Sequence, residues 1–148
     1  MNKKELLHFL ISELQKKQLF LEQELKALSE SLGNSAKSSA GDKHETDTAM
    51  NQLEQEQLTR QLLAFQSQQR VVHQLNPETK HARITTGSIV KTSKALFFIS
   101  VGIGKIHFQE LDMYCINLQS PAGQQFHLKS KGEVVNIGNE QHEILEIS

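Results

Sequence analysis

Within residues 2–32, alternating steps of four and three land on Leu7, Ile11, Leu14, Gln18, Leu21, Leu25, Leu28 and Leu32. Seven of these eight positions are apolar, and no other feature of the chain constrains its fold as tightly. A period of 3.5 residues is the seam of a coiled coil. Between the seam positions lie Lys3, Lys4, Glu13, Lys16, Lys17, Glu22, Glu24 and Lys26, a solvated face. At the α-helical rise, a helix over this stretch is roughly 45 Å long. Gln18 either sets the register of the seam, as a buried polar residue can, or occupies a loosely packed position.

A stripe this narrow needs a partner helix, and residues 47–75 supply one. Met50, Leu53, Leu58, Leu62, Phe65, Val72 and Leu75 form an apolar stripe with a phase shift near Gln57, and Asn76-Pro77 stops the helix. Both prolines lie beyond residue 76, and of the 8 glycines only Gly33 and Gly41 precede it. The intervening residues 33–46 are small and polar, which predicts a connecting loop. Two helices of similar length with a short connection fold back on each other. The expected organisation is therefore an antiparallel coiled-coil hairpin over 1–76 with its tip at 33–47, a linker over 77–83, and a second domain over 84–148. A seam satisfied within one chain predicts a monomer.

From Ile84 the pattern changes to period two with β-branched residues. Strands are expected over 88–91, 95–101, 105–108, 113–118, 133–137 and 142–147, with a short helix from Ser120. Tyr114, Ile116 and Leu118 alternate on one face of their strand and Cys115 points the opposite way. The fold class is α+β: a long helical hairpin followed by a small antiparallel sheet covered by one short helix.

Composition excludes several functions. Lys plus Arg is 16 and Asp plus Glu is 17, so bulk positive charge does not bring this chain to nucleic acid. The halves are equally balanced, with 11 basic and 11 acidic residues up to position 83 and 5 and 6 beyond it. Cys115 is the one cysteine, which excludes an intrachain disulfide and a cysteine-based zinc site. Without a His/Asp arrangement around it, Cys115 reads as a structural thiol. No apolar run approaches a membrane span, so a cytoplasmic protein without membrane contact is expected. The 7 histidines show no metal-ligand spacing and read as solvated or half-buried.

The tip carries Asp42, Glu45 and Asp47, with His44 among them. Two readings stand side by side. Asp42-Lys43-His44-Glu45 fits a capping box, Asp42 at the N-cap and Glu45 at the third helical position. Two carboxylates three residues apart can also share a hard divalent cation such as Mg²⁺ or orient its bound water. At the end of a thin rod no core orients them, so acids that act there act inside another molecule.

These features resemble the bacterial Gre transcript-cleavage factors, typified by GreA and GreB. The likeness rests on the hairpin followed by a β-rich domain, and on Gly41-Asp42-Lys43-His44-Glu45, which looks like the family's Gly-Asp-x-x-Glu tip. It rests also on Gly87-Ser88-Ile89-Val90, similar to the family's opening strand, and on Ser120-Pro121 at the start of the short helix. The resemblance implies an FKBP-like C-terminal domain that docks on RNA polymerase. It implies a hairpin inserted through the polymerase secondary channel, where Asp42 and Glu45 help hold a second Mg²⁺ while the polymerase cleaves backtracked RNA. Contact with nascent RNA would be indirect, the free chain would bind no cofactor, and it would not itself be an enzyme. Asp47 and His44 are accessory candidates. The family places a further acid and an aromatic where this chain has Thr48 and Ala49. Two alternatives follow: a channel-binding regulator without cleavage activity, and a coiled-coil scaffold carrying an FKBP-like module.

Overall fold

A computed structural model of the chain describes the backbone of residues 1–36 and 41–148, and the side chains of residues 1–33 and 48–148. Helix α1 spans Lys3–Ala36 and α2 spans Gly41–Gln74. Strands β1 (Ile89–Thr92), β2 (Leu96–Ile99), β3 (Gly104–Phe108) and β4 (Leu111–Ile116) precede helix α3 (Pro121–Phe126), and β5 (Val134–Ile137) and β6 (Glu140–Ile147) follow it. The fold class is α+β. Two compact units form, one from Leu10–Arg70 and the other from Met1–Phe9 with Val71–Ser148.

In the helical unit, Lys17 Nζ lies 5.8 Å from the centre of the Phe65 ring. Ala36 and Gly41 are separated by only four residues, which span at most about 18 Å. Helices that meet at 17 and 65 and whose facing ends are tied this closely run antiparallel. The α1 seam is the one the spacing predicts: Leu14 and Leu21 are buried, and Ile11, Gln18, Leu25, Leu28 and Leu32 are half-buried between exposed neighbours. Nearer its start α1 also buries Leu6 and Leu7, which belong with the sheet unit, and Leu10, which opens the helical unit.

Helix α2 departs from expectation. Its protected positions include Thr48, Asn51, Gln55, Leu58, Leu62, Phe65, Gln69 and Val72, which follow one another in alternating threes and fours, with Gln66 and Gln68 half-buried beside them. Met50 and Leu53, expected in the seam, are 63% and 64% exposed. No phase shift occurs at Gln57. A helix is rigid in phase, so the apolar run from Leu58 to Val72 sets the seam and carries Gln55, Asn51 and Thr48 into it. The loop expected over 33–46 is also shorter, because α1 continues to Ala36 and α2 begins at Gly41. Glycine inside a helix costs about 1 kcal/mol, too little to stop one that is packed along a partner.

The β-containing unit is a six-stranded sheet of order β3-β4-β2-β1-β6-β5. Four neighbouring pairs are antiparallel, whereas β2 and β4 are parallel and set Phe97 beside Tyr114. The sheet is therefore mixed where a purely antiparallel one was expected. Strand β3 enters from the outer edge as a hairpin with β4, which leaves β4 parallel to β2.

One face of the sheet packs with α3 around Ile84, Val90, Phe97, Ile99, Phe126, Val135 and Ile144. The opposite face buries Ile89, Phe98, Phe108, Met113 and Cys115. The Phe9 ring lies 5.2 Å from that of Phe108, and Gln109 Nε2 donates to Glu5 Oε2 at 2.6 Å. Lys3 Nζ likewise donates to the Thr79 carbonyl at 3.0 Å. The first nine residues therefore belong with the sheet.

Helix α3 forms as its sequence dictates. Ser120 is the N-cap, its Oγ accepting from Gly123 N–H at 3.0 Å, and Pro121 opens the first turn. A Cβ on Gly123 would stand 2.0 Å from the Asn117 carbonyl oxygen, so only glycine lets the helix approach the preceding chain.

Candidate functional site

The expected tip residues lie on α2. Gly41 opens the helix, so Asp42 is its second residue and Glu45 its fifth. The capping-box reading needs Asp42 outside the helix, and the backbone instead places it in the first turn. Acids there still favour the positive end of the helix dipole. Helix positions three apart share a face. The side chains of Asp42, His44, Glu45 and Asp47 lie outside the described residues. Thr48, the next residue, is half-buried.

The sheet unit holds a second arrangement, which the sequence reading missed. A cleft of about 380 Å³ opens on the α3-bearing face, its apolar lining including Phe97, Ile116, Ala122 and Ile137 and its polar lining Tyr114, Glu140 and His142. The Phe97 ring lies 4.9 Å from Phe126 and 5.7 Å from Tyr114 and from the His142 imidazole. The parallel pairing of β2 with β4 creates this cluster from residues far apart in sequence. The signal available beforehand was Tyr114 on an alternating strand.

His142 is 4% exposed, against the expectation that each histidine is solvated or half-buried. Thr92 Oγ1 accepts from the backbone N–H groups of Lys94 at 3.2 Å and Ala95 at 3.0 Å and donates to the Ala95 carbonyl at 3.1 Å. The same hydroxyl shares a hydrogen bond of 2.9 Å with His142 Nδ1. The other ring nitrogen, Nε2, faces the Glu140 carboxylate at 3.7 Å.

On the β3–β4 hairpin, Asp112 accepts from His107 Nδ1 at 2.8 Å and pairs with Lys105 Nζ at 3.2 Å. The hydrogen bond from His107, then that from Lys105, hold its carboxyl below the usual aspartate value. Elsewhere, burial lowers the pKa of His81 and the nearby Lys3 charge lowers it further, while Lys3 is itself lowered by burial. Among the described residues no three His, Cys, Asp or Glu side chains come together as a metal site. No described helix is long and apolar enough to cross a membrane.

No protein-family model matches the sequence, and no characterised protein matches it. Among solved structures, the chain is similar to the crystal structure of the GreA factor homolog 1 (Gfh1) protein of Thermus thermophilus. The identity is 14%, the TM-score is 0.38, and the match covers 93% of this chain and 94% of that one. A likeness at this score carries no functional weight.

Proposed function

We propose that this chain is a Gre-like transcription factor that binds RNA polymerase through its secondary channel and stimulates cleavage of backtracked RNA. The observation that carries the reading is the position of two acids: Asp42 and Glu45 stand in the first two turns of α2, where an antiparallel pair of 34-residue helices turns back. A slender helix pair can enter a channel that excludes a globule. Two carboxylates are hard oxygen donors of the kind Mg²⁺ takes, and they fill fewer than its six positions. The remaining ligands would come from the polymerase and from water, so the Mg²⁺ is shared and the hydrolytic centre belongs to the polymerase. When bound there, the ion would stabilise charge on the reacting phosphate and activate water. Asp42 and Glu45 contribute negative oxygen donors at the end of the helix pair, with Asp47 and His44 as accessory groups. The balanced charge of the chain fits recognition through protein surfaces, with nascent RNA contacted only at the polymerase active site.

The test is transcript cleavage by a backtracked polymerase complex at saturating factor. Wild type is expected to stimulate cleavage, and the Asp42→Asn/Glu45→Gln double variant to lose about 100-fold of it, the size typical of removing a preorganised charge-stabilising group. The variant is expected to compete for the channel as well as wild type. Equal stimulation by both proteins removes the assigned role. Competition without stimulation by wild type converts the reading to a channel-binding regulator.

A further inference from the structure

The helical unit leaves an apolar patch open alongside its seam. Phe20 is 61% exposed on the flank of α1. Beside it a trough of about 360 Å³ runs between the helices, with Leu21 and Phe65 at its floor and Lys16, Lys17 and Gln61 at its rim. A lone exposed phenylalanine needs no explanation, but one continuous with an apolar trough marks a contact surface.

The charges around Phe20 identify the partner. Lys16, Lys17, Gln23 and Glu24 each lie three or four residues from Phe20, so they share its face of α1. Lys16 lies four residues before Phe20 and Glu24 four residues after it, both exposed; Lys16 Nζ also pairs with Glu13 Oε1 at 3.1 Å within α1 while its side chain stays 72% exposed. A two-fold axis through Phe20 therefore sets Phe20 against Phe20, and each Lys16 against the other copy's Glu24. A parallel arrangement would set Lys16 against Lys16 and Glu24 against Glu24. Self-complementarity under a two-fold operation is what an isologous contact between identical chains requires, and no other partner would need it. We propose that this face of α1 is an antiparallel self-association surface, and that its partner is a second copy of this chain. The inference does not depend on the polymerase reading. The monomer expected from the intramolecular seam is the dissociated state of this pair.

Sedimentation velocity on the full chain, from about 1 μM to about 1 mM, tests it across the range from firm to weak association. Wild type is expected to show a concentration-dependent dimer. Each contact occurs twice in the dimer, so Lys16→Glu alone and Glu24→Lys alone each replace two attractive pairs by two repulsive ones and weaken association about tenfold or more. The Lys16→Glu/Glu24→Lys double variant restores the complementarity and is expected to return to within about threefold of wild type on the same accounting. Phe20→Glu is expected to abolish the dimer. Leu53→Glu alters a residue equally exposed at 64% but off this face, and is expected to leave it intact. Circular dichroism of each variant establishes that α1 stays helical. A wild type monomeric throughout the range overturns the proposal. A double variant as weak as the singles, or loss of the dimer in Leu53→Glu but not in Phe20→Glu, overturns this face as the surface.

Discussion

Cys115 shows how one side chain reports the packing around it. It sits on β4 beside Met113's face of the sheet, 1% exposed, and burial pushes its thiol pKa up to about 12. The thiolate is the reactive form, so the native protein is expected to be inert to a disulfide reagent at pH 8 and to react with one thiol per chain once unfolded. Fast reaction in the native state would show that this face of the sheet opens readily. The sign of the linkage follows from the same shift. The folded value lies above the unfolded one, so stability from the neutral thiol is complete below about pH 8.5 and declines as pH rises toward 12. Cys115→Ala should flatten that alkaline decline. The sequence assigned this residue correctly as a structural thiol because a single cysteine on a strand, without a nearby base, has few other roles. His142 was not assigned correctly. Its burial depends on the Thr92 hydroxyl, fifty residues away in sequence, and no local pattern announces that partner.

At the scale of elements, legibility tracked the density of apolar residues. The α1 seam was readable because seven leucine or isoleucine side chains hold one phase. The distal half of α2 was not, because Met50 and Leu53 are its only large apolar residues between Thr48 and Gln57, and both point away from the partner helix. The phase is set farther along, by Leu58, Leu62, Phe65 and Val72. Strand positions were legible from alternation, and a short helix was expected from Ser120, which the structure shows to be its N-cap. The parallel β2–β4 pair was not, since pairing direction depends on topology rather than on either strand. The two α2 seams make opposite predictions. In the structural seam, Gln55 and Asn51 occupy core positions, and the Gln55→Leu/Asn51→Leu double variant should stabilise the helical unit by about 2 kcal/mol, the order expected for burying two partly covered leucines. The Met50→Gln/Leu53→Gln double variant should change stability by less than about 0.5 kcal/mol per site, as exposed substitutions do. Urea unfolding followed by the helical circular dichroism signal reads both. Loss of stability in Met50→Gln/Leu53→Gln with no gain in Gln55→Leu/Asn51→Leu would reinstate the seam that the apolar stripe alone implied.

At the scale of the molecule, the two units draw on different amounts of buried surface. The sheet unit buries both of its faces, and Phe98, Phe126, Ile84, Met113 and Ile144 are fully enclosed. The Leu10–Arg70 unit has one seam, and toward Thr48 its α2 side is polar. Nearer the other end of α2, Gln68 Oε1 and Gln69 Nε2 are buried without hydrogen-bond partners among the described residues, and an unmet buried polar group costs about 1–3 kcal/mol. Local opening follows buried apolar contact, so the helical unit should open at lower free energy than the sheet unit. Native-state hydrogen exchange resolves this amide by amide. Amides near Asn51 and Gln55 are expected to exchange first, and those of β1, β2 and β4 last. The decisive segment is the start of α1. It is continuous with the hairpin in sequence, yet Leu6 and Leu7 are buried, Phe9 packs on Phe108, and Glu5 accepts from Gln109. Amides of residues 6–9 are therefore expected to exchange with the slow sheet unit rather than with the rest of their own helix. Should they exchange with residues 51–55, the first turns of α1 would belong energetically to the hairpin, and the anchoring assigned to Phe9 and Glu5 would contribute nothing to stability.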